Sequence, residues 1–402
     1  MYINPPADKV NRFGLISRST ALTASAILPQ LLLALPFGIP NSLTQVLALI
    51  FVLPFLLLSR LNATYMTLIT LFFLLIISNS IYQALLRPNS ESSYYQMARS
   101  LTPFFILCSI LINYKLILSK ISQFILTGGQ ARSKKINRAI DFFALLCAVQ
   151  SVGFMMGLPT ANYLSASGSG ERVMIFMSTS CVFLMYYTTI SKRHWSTLLF
   201  FMVVLGTGSK SILVASVLIF LLAASRDLRA INFLGVMASG TALIFSLYFI
   251  NPLALDRVMD FASSEQGESF KDATRAYEIF HAHRTMNEYT SSVVFGSGFA
   301  TQLTPGVPTS NSAWFENSKY DIENGYWGIF SKLGVVLTAI FVIIIIKFMP
   351  LNRVLFAIIL VEAPLFFKTS YQVFAYMDGV YLIIWSILVN ALLLSRKSYS
   401  LR

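Results

Sequence analysis

The sequence predicts an all-α, polytopic membrane protein of about twelve transmembrane helices with one long, helix-containing loop on the outer side. Three observations carry this expectation. The 402 residues are 56% hydrophobic and only 12% charged, with a mean hydropathy of +0.68, whereas water-soluble chains are about 45–50% apolar. Apolar runs of membrane-crossing length recur along the chain, and most of the basic residues fall in the short breaks between them. Twelve crossings of about 20 residues use about 240 of the residues and leave about 160 for loops and tails, so no large soluble domain fits. The three cysteines, Cys108, Cys147 and Cys181, are scattered inside apolar runs, which excludes a disulfide-rich secreted domain and a cysteine cluster for zinc or iron–sulfur.

Cut at charges and turn residues, the runs place spans near 19–38, 42–59, 64–84, 98–115, 139–157, 174–190, 196–207, 209–224, 230–250, 327–346, 353–367 and 379–395. The seventh and eighth are short. They share the run from Ser196 to Ala224, broken at Thr207-Gly208-Ser209-Lys210, and one long tilted helix is the alternative. The small residues Ala21 to Ala26 precede the apolar run of the first span instead of following it, so that span reads as retained and not as a cleaved signal. No internal repeat stands out by eye.

Charge sets the orientation. With twelve spans, the loops on one side carry 19 of the 30 Lys and Arg, including Lys115 to Arg138, Lys192-Arg193 and Lys347 to Arg353, against only Asp8, Asp141 and Asp227. That side is cytoplasmic by the positive-inside rule, and both termini lie on it. The net charge of +13 then reports topology and contact with anionic membrane lipids. Its spread over short loops argues against nucleic-acid binding.

Three regions follow: residues 1–250 with nine spans and short loops, 251–326 as the outer loop, and 327–402 with three spans and a cytoplasmic tail. The outer loop differs chemically from the rest. It holds ten of the 17 acids, among them Glu278, Glu288, Glu316, Asp321 and Glu323, together with His281, His283, Arg275 and Arg284. A second outer segment, Leu158 to Arg172, is Gly/Ser-rich and ends at Glu171-Arg172. Ser269-Phe270-Lys271-Asp272 resembles a capping box that opens a helix running to about Ser291 and ending near Gly296-Ser297-Gly298. Nine positions apart, Arg275 and Arg284 point to opposite faces of that helix. Arg284 shares its face with Tyr277, Phe280, His281 and Glu288, and Arg275 shares its own with Ile279, Ala282 and Met286.

These residues carry a resemblance. The order Arg275, Phe295-Gly296-Ser297-Gly298-Phe299, Glu323-Asn324-Gly325-Tyr326, then Phe330 and Gly334-Val335 resembles the O-antigen polymerase and ligase superfamily. That family shows an Arg-led helix, a Phe-Gly-x-Gly turn, and a His-Asn or acid-Asn pair with a Gly eleven residues after its first member. Arg172 and the Thr-Gly-Ser-Lys turn at 207–210 also fit, and the resemblance covers about residues 160–340. Two features depart from the pattern. Glu323 stands where ligases carry His, which favours the polymerase branch, and the longer spacing from Arg275 to Gly296 leaves Arg284 as an alternative match.

The resemblance implies a glycosyltransferase of the bacterial inner membrane; the sequence has no Asp-x-Asp pair for a divalent metal, so metal-independent catalysis without a cofactor is expected. It would move a glycan from an undecaprenyl-diphosphate carrier to another carrier-linked repeat unit on the periplasmic face, with donor, acceptor and a chain-length regulator as partners. Glu323 is then the general base for the acceptor hydroxyl. Arg172, with Arg275 or Arg284, and Lys210 neutralise the leaving diphosphate, and Asn324, Tyr326 and His281 bind substrate. Alone, each has a plainer reading: Arg172 as an interfacial arginine, Glu323-Asn324 as a helix cap, the two arginines as solvated helix charges. Lys210, Lys332 and Glu362 stand within or beside apolar runs, where charge is costly, and call for interhelical partners or a role in the lipid pathway. A ligase acting on lipid A core, or a twelve-helix lipid-glycan transporter, are the competing functions.

Overall fold

The computed structural model describes residues 62–87, 94–155, 175–206, 210–224, 282–301, 325–349, 352–366 and 379–400. They are almost entirely helical and contain no strand. In chain order the helices are α1 (Ala63–Leu86), α2 (Tyr94–Ile112), α3 (Tyr114–Thr127), α4 (Gly129–Met155), α5 (Ile175–Ile190), α6 (His194–Gly206), α7 (Lys210–Ala224), α8 (Thr290–Phe295), α9 (Gly325–Phe348), α10 (Arg353–Phe366) and α11 (Gly379–Ser400). Residues 282–287 are helical as well. Nine of the expected apolar runs coincide with α1, α2, α4 to α7 and α9 to α11; the expected spans 19–38, 42–59 and 230–250 lie outside the described residues. By length and composition α1, α9 and α11 suffice to cross a membrane, and α2 with α3, bent by 65°, makes a fourth crossing or a re-entrant pair. Helices α6 and α7 are apolar but short, and they are separate helices on either side of residues 207–209.

Helix α1 starts where Asn62 accepts the Tyr65 N–H at 3.3 Å, and Pro88 follows its last turn, where an unbroken helix is disfavoured. One face buries Ile69, Phe72, Phe73 and Ile76, while Leu68, Leu71, Leu74 and Leu75 are exposed on the other. A helix apolar all round suits lipid on one side and protein on the other. Helix α11 is the inner element: Tyr381 to Leu392 are almost wholly buried among α2, α3, α5 and α10, with the Trp385 ring 5.6 Å from that of Phe143 of α4 and tilted by 34° to it.

One expected loop is helix. Lys115 to Arg138, read as a basic cytoplasmic loop, forms α3 and the first turns of α4. Its charges interrupt the apolar run in sequence but not in space: Tyr114, Ile117, Ile121 and Ile125 recur at helical spacing and are buried against α11, leaving Lys115, Ser119 and Gln123 outside. At the α2–α3 bend the buried Asn113 accepts the Asn62 N–H at 2.9 Å and donates to the Ser109 carbonyl at 2.9 Å. That amide ties the start of α1 to the bend. Tyr65 meets Phe348 edge-on at 5.0 Å, so the C-terminal end of α9 lies there too. Elsewhere Arg193 and Ser196 bind Asp141, Tyr187 donates to Asn137 at 2.7 Å, and Arg396 donates to Ser191 at 2.9 Å. These bonds gather the first turns of α4, the α5–α6 turn and the end of α11.

Asn113→Ala should lower the unfolding free energy by about 1–3 kcal/mol, because it strips partners from two backbone groups. Ser119→Ala, on the exposed side of α3, should be neutral. Thermal unfolding in detergent micelles compares the two; equal midpoints would show that the Asn113 amide is not a clamp.

Candidate functional site

The end of α1 opposite Asn62 carries polar residues inside an apolar helix. Asn79, Gln83 and Arg87 follow one another at four-residue intervals and share a face, with Ser80 beside them. That face receives residues 282–301, the last described part of the long loop.

Arg87 makes the densest contact. Its Nε donates to Glu288 at 2.8 Å, Nη1 to the Gln83 side chain at 2.8 Å, and Nη2 to the Thr285 carbonyl and the Ser292 hydroxyl, both at 2.9 Å. Its guanidinium stacks over the Tyr289 ring at 4.8 Å. The Ser292 hydroxyl donates onward to Gln83 at 2.7 Å, and Tyr289 Oη donates to the Leu86 carbonyl at 3.1 Å. The expected continuous helix to Ser291 is therefore interrupted. Tyr289 is extended (φ −136°, ψ 138°), Arg87 takes the Thr285 carbonyl that a continuing helix would pair with Tyr289, and α8 starts afresh at Thr290.

Beyond α8 the chain packs backbone against backbone. The Phe295 carbonyl accepts from Asn79 Nδ2 at 2.7 Å, and the Phe299 N–H donates to the Ser80 hydroxyl at 3.0 Å. Helix α9 breaks at Gly334 (φ 67°, ψ −173°), which releases carbonyls of the preceding turn. They are taken by the glycine turn: Ser297 N–H donates to the Ser331 carbonyl at 2.8 Å and Gly298 N–H to the Lys332 carbonyl at 3.2 Å. Gly296 and Gly334 both have positive φ, and neither has room for a side chain. A Cβ on Gly296 would stand 2.1 Å from the Lys332 carbonyl oxygen, and one on Gly334 would stand 2.2 Å from the Gly296 nitrogen. The buried Lys332 donates from Nζ to the Thr301 carbonyl at 2.6 Å.

The expected site residues distribute as follows. Arg172, Arg275, His281, Glu323 and Asn324 lie outside the described residues. Lys210 is the first residue of α7. Arg284 lies on the exposed side of 282–287 with His283 and Asn287, while Ala282, Thr285 and Met286 are buried. Ala282 packs against Trp327. The inward face is thus the one that the sequence reading gave to Arg275. Tyr326, 40% exposed, opens the first turn of α9, within electrostatic reach of Glu362 on α10. Among the described residues no three His, Cys, Asp or Glu come together as a metal group would require.

Sequence reasoning missed Arg87 and its partners on α1. The signal was present as polar residues at 79, 83 and 87 in one stripe of an apolar span. A single sequence does not say what such a stripe meets some 200 residues later.

Comparison with known proteins finds no matching family, no matching curated protein and no matching solved structure.

Arg87→Ala should destabilise the docked segment by about 1–3 kcal/mol, because it strips a donor from the buried Thr285 carbonyl and from the Ser292 and Gln83 side chains. Arg87→Lys should recover only part of this, since an ammonium cannot reproduce the planar set of donors. Limited proteolysis of residues 282–301 in nanodiscs reads the effect directly. Wild-type resistance in both variants would mean that the glycine contact and the Asn79 and Ser80 bonds hold the segment without Arg87.

Proposed function

We propose that this chain is a polysaccharide polymerase of the bacterial inner membrane, transferring a glycan from an undecaprenyl-diphosphate carrier to another lipid-linked repeat unit on the periplasmic face. The observation that carries the reading is the contact between Gly296 and Gly334. The Phe-Gly-Ser-Gly turn and the glycine of the next apolar helix belong to one motif set in the resemblance, and they interlock here although 38 positions apart in sequence. A motif set scattered by chance gives no reason for such an interlock.

In this reading the Glu323 carboxylate takes the proton of the acceptor hydroxyl. That oxygen then bonds to the anomeric carbon of the donor, the bond from that carbon to the diphosphate oxygen breaks, and undecaprenyl diphosphate leaves with the electron pair. Arg172 and Arg275 hold the diphosphate through bidentate hydrogen bonds, and Lys210 adds a point charge. Arg275 is preferred to Arg284 because the face of 282–287 that packs inward is the face of Ala282 and Met286. Asn324 and Tyr326 contact the glycan, and Tyr326 with Trp327 offers flat apolar rings to the sugars; His281, on the face of Arg284, is set aside with it.

The test is the surface-polysaccharide ladder of cells lacking the gene, complemented with wild type or with Arg172→Ala, Arg275→Ala, Arg284→Ala or Glu323→Ala at matched membrane levels. The null should leave single repeat units on the core. Arg284→Ala should restore the ladder. Glu323→Ala should fail, losing about 10²- to 10⁴-fold in rate as a missing general base does, and Arg275→Ala about 10²- to 10³-fold as a missing charge-stabilising donor does. A null without any capped species would favour a ligase, and an unchanged null ladder would end the polymerase reading.

A further inference from the structure

Three stretches far apart in sequence bring cations to one corner of the fold. Helix α4 supplies Lys134, Lys135 and Arg138, the α5–α6 turn supplies Lys192 and Arg193, and α11 supplies Arg396. Direct bonds gather them. Arg193 donates from Nε to Asp141 at 3.1 Å and from Nη2 to the Asn137 carbonyl at 3.3 Å. Tyr187 donates to the Asn137 side chain at 2.7 Å. Arg396 donates to Ser191 at 2.9 Å and holds its guanidinium 5.7 Å from the centre of the Tyr187 ring. On α4, Lys134 shares the stripe of Asn137 and Asp141, and Arg138 lies beside it.

The charges at this corner do not balance. The described residues hold three acids, Asp141, Glu288 and Glu362, and Asp141 is the one bonded here. It is already taken: Arg193 binds both of its oxygens and Ser196 binds one. Lys134, Lys135, Arg138 and Lys192 are exposed and form no ion pair among the described residues. Side chains of one sign around a shared surface repel one another and raise the local concentration of the opposite ion.

Trp195 indicates which anion the corner suits. It stands between Arg193 and Ser196, both bonded to Asp141, yet it is 80% exposed, more than any other large hydrophobic residue described. It lies in the first turn of α6, an apolar helix, at the level where such a helix leaves the hydrocarbon. An indole there puts its apolar body against acyl chains and its N–H among headgroups. A soluble phosphate would leave that indole in water, whereas a lipid brings phosphate and chain together.

We propose that this corner binds an anionic phospholipid: the headgroup phosphate lies between α4 and the α5–α6 turn, held by Arg138 and Lys192 with charge added by Lys134 and Lys135, and an acyl chain lies along Trp195. The site is separate from the proposed reaction and does not depend on it.

The test uses the full chain in nanodiscs and phospholipids brominated on the acyl chain, which quench tryptophan at short range. The chain has four tryptophans, so the Trp195 signal is read as the difference from Trp195→Phe. Quenching over a range of mole fractions gives the preference of the site for phosphatidylglycerol over phosphatidylcholine. Wild type should prefer the anionic lipid, and the Arg138→Gln/Lys192→Gln pair should lower that preference about fivefold or more, the worth of one basic residue at an anionic surface. Removing as many charges from the exposed Lys347 and Arg353, as Lys347→Gln/Arg353→Gln, should leave it unchanged. The charge-conserving pair Arg138→Lys/Lys192→Arg should keep it, which separates a lost charge from a lost fold. Equal quenching by the two lipids in wild type, an equal loss in the Lys347/Arg353 pair, or a loss in the charge-conserving pair overturns the proposal. Relief of the quenching by millimolar inorganic phosphate also overturns it, and points to a soluble phosphate compound as the occupant.

Discussion

A backbone that leaves the α-helix inside a membrane protein releases N–H and C=O groups where no water can take them, and each unsatisfied group there costs several kcal/mol. At Gly334 the break in α9 releases the Ser331 and Lys332 carbonyls, and Ser297 and Gly298 supply the missing donors. The contact is main chain on main chain, so it has no tolerance for a Cβ on either side. The glycine turn fixes the end of α8, and from the other side Arg87 takes the Thr285 carbonyl, interrupts the helix at Tyr289 and gathers Glu288 and Ser292 around its guanidinium.

Two kinds of attachment therefore hold the segment. The glycine contact is geometric and sets position to within a fraction of a side chain. The Arg87 contact is electrostatic and sets the direction of the chain. A guanidinium this deeply buried is stable only with its donors matched, and here an anion, two side-chain oxygens and a backbone carbonyl meet it in one place. Lys332 solves the same problem differently, with a carbonyl as partner. Both cations lie at the boundary between the long segment and the helices, where they join elements and do not stabilise either alone.

The helical class was legible because hydropathy is a property of short windows, and nine apolar runs fell on helices for that reason. The α3 error has the same origin. Lys115 and Lys120 break a window but occupy one side of a helix, so an amphipathic helix on α11 reads as a charged loop. The glycine motif was legible as a turn, since positive φ selects for Gly; its partner, the break at Gly334 inside a strongly apolar helix, was not. The interruption at Tyr289 was not marked either, because residues 282–295 hold no Gly or Pro and the weak helix formers from Asn287 to Val294 do not single out one position. Its cause is Arg87, and contacts across some 200 residues leave no trace in local propensity.

The two attachments also bear on the connection from Thr301 to Gly325. Residues 302–324 include Glu323 and Asn324. Their flanks are both fixed to the same helix: Thr301 is bonded to Lys332, and Gly325 starts α9 seven residues earlier, about 10 Å away along the axis. Bringing the ends of a connection of this length together costs about 3 kcal/mol of chain entropy. The docked glycine turn meets that cost within the fold. A break in α9 that looks like a defect is in this sense what brings the two ends of the segment together.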